Sequence, residues 1–269
     1  MTEPLSLSRV RLWLWRCVAL TLLLPCFAWA QGGMAGAGAP PPNAPEDRRG
    51  SSIAAPVVAS RDLAPGFTGL GPGATVLLMP VDVELFSISA GGVLEPKADW
   101  TAAAQRHMHA AIAALKADWK LAALTMTEVQ ADDFAEQVGL HAAVAQSIAL
   151  HHSTGGAWAL PSKQGRLDWN FGDAMKPLRD QTGARYGLFL WVRDSYASAE
   201  RKAMMIGLAL LGVGIGGGVQ VGYASLVDLD SGQVVWFNRL LRAAGDLREE
   251  AAARESIGVL LKGFPSSSQ

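Results

Sequence analysis
An apolar run spans Thr75–Met79, and beyond Pro80 it gives way to alternation, with Val81, Val83 and Leu85 on one side and Asp82 and Glu84 on the other. A period of two is that of a pleated strand, so the pattern predicts a strand that starts buried and ends half exposed. After the Gly91-Gly92 turn the period changes. Trp100, Ala104, Met108, Ala111 and Leu115 recur at spacings of four and three, the core stripe of a helix over about Asp99–Ala117. Lys120–Met126 returns as a second strand. Thr127 and Gln130 have capping-box spacing and open a helix whose stripe is Phe134, Val138, His141, Ala145 and Ile148, ending near His152. A third helix, about Asp173–Thr182, stops at Gly183. Arg185–Val192 follows as a strand apolar on both sides, which places it centrally in a sheet covered on both faces.

The C-terminal third continues the alternation. Val219–Asp228 and Gln233–Leu240 are strand-like runs joined by Leu229-Asp230-Ser231-Gly232, where Asp, Ser and Gly supply the turn chemistry of a hairpin. The last helix is expected to open on Asp246 as N-cap with Glu249 three residues on, to pair Glu250 with Arg254, to bury Ile257, Leu260 and Leu261, and to stop at Gly263 before Pro265. The whole reads as an α/β (α+β) fold. It is a single sandwich domain over residues 75–265, with a mixed β-sheet, helices packed on it, and a C-terminal β-hairpin plus helix.

Ahead of this domain the pattern is of another kind. Arg9, Arg11 and Arg16 precede an apolar stretch centred on Val18–Leu24, and Ala28-Trp29-Ala30 forms a small-x-small exit before Gln31. Those are the parts of a secretory signal peptide over residues 1–30, cleaved after Ala30, which directs the mature chain to the periplasm or the outer membrane. Lipidation at Cys26 is the alternative processing, although Pro25 stands where small residues are expected. Cleavage after Ala30 removes both cysteines of the chain, Cys17 and Cys26, and with them thiol chemistry and disulfides. Residues 31–74 are rich in Gly, Ala and Pro and carry too few large apolar side chains to offset the entropy of ordering, so they read as a disordered linker. The domain that remains, roughly 195 residues, is long enough to bury a core without staples.

Charge bears on partners. With 23 basic and 24 acidic residues the formal net charge is −1, and no basic cluster offers a nucleic-acid surface. Catalytic and metal motifs are equally scarce. His107 and His109 are two apart on one helix and point to different sides, while His141 and His152 share a face some three turns, ~16 Å, apart. Neither pair has chelating geometry, and neither G-x-S-x-G nor H-E-x-x-H occurs in the chain. No cofactor, metal site or catalytic residue is therefore expected. Gly212-x-Gly214 lacks the preceding strand and following helix of a dinucleotide loop.

Two stretches stand apart from the core pattern. The loop Gly155–Gly172 carries Trp158, Trp169 and Phe171, aromatics that either pin the loop to the core or offer a ligand or partner surface. From Ala203 to Val227 there is no charge, and Met204–Val219 is almost wholly apolar, with Gly207, Gly212, Gly214, Gly216, Gly217 and Gly218. The hairpin claims Gln220–Val227, which leaves roughly 16 residues, short for a membrane span. The first expectation is a short helix, buried or packed on the surface; the sharper alternative is an apolar arm over Ile206–Val213, with Ile206, Leu208, Leu210, Leu211 and Val213 meeting a membrane surface or another subunit. Between these stretches, Arg193-Asp194-Ser195-Tyr196 sits at the end of the central strand, where sheet edges form sites. Arg193 and Asp194 are candidate ligand- or partner-binding residues; in the plainer reading Asp194 caps the next helix.

Three pieces of sequence carry a family resemblance. They are the strand Val76-Leu77-Leu78-Met79-Pro80, the opening Gly183-Ala184-Arg185-Tyr186, and the hairpin from Ala224 to Trp236. Together they make the domain similar to the envelope superfamily that includes the curli secretion channel, the amino-terminal domain of TolB and small lipoproteins. The resemblance implies an α/β sandwich and a role in assembly, secretion or scaffolding. The chain thus reads as an exported, non-catalytic cell-envelope protein whose partners are envelope proteins, further copies of itself, or a membrane surface, and not nucleic acid. The alternative is an exported enzyme using Arg193/Asp194 and a histidine brought close by the fold.

Overall fold
The computed structural model describes residues 61–116, 119 and 121–265; the expected export signal, Cys26 and the expected linker up to Ser60 lie outside the described residues. The strands are β1 (Thr75–Leu78), β2 (Asp82–Ile88), β3 (Leu94–Pro96), β4 (Ala122–Thr125), β5 (Tyr186–Ala197), β6 (Gln220–Asp228) and β7 (Val234–Arg242). The helices are α1 (Ala98–Lys116), α2 (Glu128–Asp132), α3 (Ala135–Ile148), α4 (Lys176–Thr182), α5 (Ala199–Ala209) and α6 (Glu250–Leu260). All seven strands belong to one mixed sheet.

The sheet is organised around β5. Along one edge it pairs antiparallel with β6, from Tyr186↔Asp228 to Asp194↔Gln220, and β6 pairs antiparallel with β7. Along its other edge two short strands lie end to end, both parallel to it. β1 pairs with Tyr186–Leu188, and β2 pairs with Trp191–Ala197. The break between them is Pro80, which has no N–H to give a ladder. From Leu78↔Leu188 to Asp82↔Trp191 the β1–β2 side advances one residue more than β5 does. That extra residue reverses the side-chain parity. Val76 and Leu78 before Pro80, and Val81, Val83 and Leu85 after it, thus join the same core. The sequence pattern of a continuous apolar run changing to alternation is the trace of this bulge.

Helices cover both faces. On one, Ala104, Met108, Ala111 and Ile112 of α1 and Ala253, Ile257 and Leu260 of α6 pack on Val76, Leu188, Leu190 and Leu226. On the other, Phe134, Ala145 and Ile148 pack with Leu178 of α4 on Leu77, Phe189 and Val227. β5 is apolar on both sides because both its faces are covered, as expected of a central strand. The packed body also begins before Thr75. Ala64 N–H bonds the Val235 carbonyl and Phe237 N–H the Asp62 carbonyl, while Ala64 and Leu70 are buried. Residues 62–74 of the Gly/Ala/Pro-rich stretch therefore cover the outer edge of β7 and part of the core.

Several boundaries differ from the sequence pattern. Thr127 and Gln130 do form the capping box, with Thr127 N–H bonding Gln130 Oε1 at 2.9 Å, but it opens only the short α2. The chain then turns at Phe134, whose buried ring takes the place of continued helix, and α3 starts anew. At the C-terminus Asp246 is not the N-cap of α6. Its carboxylate is held by Arg248, at 2.8 and 2.6 Å, and the helix begins at Glu250. β5 runs through Arg193-Asp194-Ser195-Tyr196 to Ala197, so Asp194 caps nothing; Ser198 caps α5, accepting from Arg201 N–H.

Candidate functional site
Because neighbouring side chains of a strand point to opposite faces, β5 separates the two residues that adjoin in sequence. Arg193 lies on the α3 side. Its guanidinium sits 4.7 Å from the Trp191 ring centroid and forms ion pairs with Asp82 at 2.8 Å and Glu84 at 3.4 Å, both on β2. Asp194 points the other way, under α6, and is buried. One carboxylate oxygen accepts from Ser195 N–H at 2.8 Å; the other accepts from Tyr196 O–H at 2.5 Å and Gln220 Nε2–H at 2.7 Å. Gln220 in turn accepts from Ser256 Oγ–H of α6 at 2.8 Å, and the Tyr196 hydroxyl accepts from Leu247 N–H at 2.7 Å. Burial pushes the Asp194 carboxyl above the usual carboxylate range, and the hydrogen bonds from Tyr196, Gln220 and Ser195 oppose that rise.

This network ties four pieces of chain together: β5, β6, α6 and the segment that leads into α6. Its rim is aromatic and cationic. Arg248 lies 4.3 Å from the Tyr196 ring centroid and 4.4 Å from that of Trp100, and the two rings meet edge to face at 5.9 Å. The cleft beside Asp194 holds about 70 Å³, far less than the ~300 Å³ at which ligand pockets begin. A carboxylate with three donors, flanked by so small a space, is a fastening. Arg193 and Asp194 do not converge on a common reacting centre.

The aromatic loop forms a second, separate cleft. It is lined by Arg61, His151, His152, Lys163 and Trp169 and holds about 90 Å³. Trp169 is half-buried at the edge of the α3-side core with Lys163 5.1 Å from its ring centroid, whereas Trp158 stands exposed. His152 bonds the Arg61 carbonyl and His151 the Trp158 carbonyl, each at 2.7 Å, so both histidines hold loops. The residue that sequence reasoning passed over as a stripe position is His141. Its ring stacks on Phe189 at 4.0 Å and bonds Ser225 Oγ at 2.5 Å, and full burial lowers its pKa from 6.5 to about 3. It is a neutral core histidine. Among the described residues no group of three or more His, Cys, Asp or Glu side chains could hold a metal ion.

The apolar segment after β5 has the opposite character. α5 buries no residue, and Ile206, Leu210, Leu211 and Val213 are 66, 85, 78 and 48% exposed, with Leu208 half-buried. The helix ends on a left-handed Gly212 at φ +78°, with Val213 N–H bonding the Leu208 carbonyl and Gly212 N–H that of Ala209, a Schellman-type stop. The chain then returns alongside, and its root is fastened. Ala197 N–H bonds the Gly217 carbonyl, Ser195 Oγ–H the Val219 carbonyl, and Arg201 Nε–H the Gly216 carbonyl at 3.0 Å. Gly218 sits at φ +144° and a Cβ there would collide with the Ser195 carbonyl, so the close approach to β5 requires glycine. Ile206–Val213 is thus an arm held at its base and bare at its tip. No helix among the described residues is long and apolar enough to cross a membrane.

By fold and site, the molecule is an α/β sandwich with a structural polar cluster and an exposed apolar arm. No protein-family model matches the chain, and no curated protein matches it. Among solved structures it is similar to the PelC dodecamer from Paraburkholderia phytofirmans, at 16% identity over 75% of this chain and 94% of that one, with a TM-score of 0.35. It is also similar to lipoprotein GNA1162 from Neisseria meningitidis, at 13% identity over 64% and 81% of the two chains, with a TM-score of 0.25. The LpoB C-terminal domain from Salmonella enterica matches at 12% identity over 66% and 87%, with a TM-score of 0.26. Likeness at this level assigns neither a family nor a function.

Proposed function
We propose that this is an exported, non-catalytic protein of the bacterial envelope, periplasmic or associated with the outer membrane, that docks onto another envelope component through residues 203–219. The observation that carries the reading is the arm. Leu210 and Leu211 are 85 and 78% exposed although the fold buries other leucines completely, and nothing in the packed body requires them outside. The basic, apolar and small-residue parts of residues 1–30 support export. The alternative use of Arg193/Asp194 in catalysis has little to support it, because the two face apart and each is fully engaged.

Cell fractionation tests this. The wild-type chain is expected outside the cytoplasm with Gln31 as its first residue, sedimenting with the envelope. A variant carrying Ile206→Ser, Leu210→Ser, Leu211→Ser and Val213→Ser is expected to be exported and folded but soluble in the periplasmic fraction. Identical distribution of the two, or retention of the wild type in the cytoplasm, overturns the reading.

A further inference from the structure
Resting on that docking reading, we infer that the arm's partner is an anionic lipid surface, which it enters tip first. The first observation is the arrangement of charge. Between Glu200 and Asp228 the sequence holds no carboxylate, and the only charges in that interval are Arg201 and Lys202, at the root of α5. Arg201 is bound to backbone carbonyls, those of Gly216 and Ser89, and neither it nor the exposed Lys202 has an ion-pair partner among the described residues. Glu200 stands beside them in the first turn of α5, so the root carries a net charge of +1, and an apolar tip above it matches the boundary between acyl chains and phosphate headgroups.

The second observation is a neighbouring loop. β2 and β5 run parallel, with Ile88 beside Ala197, so the turn after β2 leaves the sheet at the same end as the arm. Ser198 N–H bonds the Ile88 carbonyl there, and Arg201 Nη1 donates to the Ser89 carbonyl at 3.4 Å. Val93 and Leu94 in and after that turn are also exposed. The end of the sheet therefore presents bare aliphatic side chains from two connections, with Arg201 between them.

Vesicle flotation of the exported full-length product tests the inference, with phosphatidylethanolamine/phosphatidylglycerol (3:1) and pure phosphatidylcholine vesicles as probes. Wild type is expected to float with the anionic vesicles. Leu210→Glu/Leu211→Glu is expected to lose at least ~10-fold of that binding, and Lys202→Gln about fivefold on anionic vesicles with little change on phosphatidylcholine. Circular dichroism and sedimentation velocity accompany each variant. Absence of flotation, flotation indifferent to Leu210→Glu/Leu211→Glu, or an arm-dependent dimer without flotation overturns the lipid surface as partner. In those cases the fractionation experiment still separates the two claims. Arm-dependent envelope association would leave docking standing with a protein partner, and its loss would remove both.

Discussion
The Asp194 cluster and the apolar arm adjoin at the end of β5, and each inverts the usual distribution of polarity. In one, a carboxylate is buried; in the other, leucines lie in water. The two inversions differ in what resolves them. Every lone-pair direction of Asp194 that matters is met from within the fold, by Tyr196, Gln220 and Ser195, and the cluster continues to Ser256 and Leu247. Nothing in the fold meets the arm. A buried polar group with all its partners is part of how the protein stands, whereas an exposed apolar one without partners points outward to something else.

The sharpest way to break this contrast is Asp194→Ala. It leaves the Tyr196 hydroxyl, the Gln220 amide and Ser195 N–H without their acceptor, and is expected to lower the unfolding free energy by about 3 kcal/mol, read by urea denaturation. A loss below 1 kcal/mol would mean that the cluster is not structural.

His141 offers the next largest effect, and without mutation. Its pKa is 6.5 unfolded and about 3 folded, so between those values the unfolded chain binds a proton that the folded chain does not. Stability is therefore fully present above pH 6.5 and falls as pH falls, by about 1.4 kcal/mol per pH unit until the folded value is reached. Unfolding free energies from urea denaturation should fall by about 1.2 kcal/mol from pH 6 to 5 and by about half of that from pH 7 to 6, and His141→Leu should flatten the profile.

Gly218→Ala probes the seam between the two regions. The added Cβ meets the Ser195 carbonyl at a positive φ, and about 2 kcal/mol of destabilisation is expected in a thermal melt. The smallest effect is the most telling. Leu210→Ser/Leu211→Ser should leave the melting temperature within the shift of about 0.5 kcal/mol, because neither side chain packs in the fold. A large loss would show that the arm is core after all.

Much of the fold was legible because it is governed by neighbours along the chain. The turn Leu229–Gly232 forms as its residues predict, with Asp228 accepting from Asp230 and Ser231 N–H and Gly232 at φ +73°. The α1 stripe buries Ala104, Met108 and Ala111, and Thr127/Gln130 make their capping box. Readings failed where a distant group took over a local signal. Asp246 has the type and spacing of an N-cap, but Arg248 captures its carboxylate beside Trp100 and Tyr196. Asp194 looked like the end of a strand because polar residues cluster there. Its pairing with Gln220 on β6, 26 residues away, and with Leu85 on β2 keeps it inside one. Nothing around His141 in sequence points to Phe189 or Ser225, which are supplied by two other strands.

The amino-acid sequence by itself determined the periods of its strands and helices, its turns and the charge-free stretch from Ala203 to Val227, because each depends on composition or on residues a few positions apart. Tertiary structure alone decided that β1 and β2 share one edge of β5, that Arg193 and Asp194 face apart, and that Ile206–Val213 stays bare while its root is fastened. Those outcomes depend on which distant donors, acceptors and apolar faces arrive at the same place. Burial and hydrogen bonding act through space, and the order of residues along the chain does not record that distance.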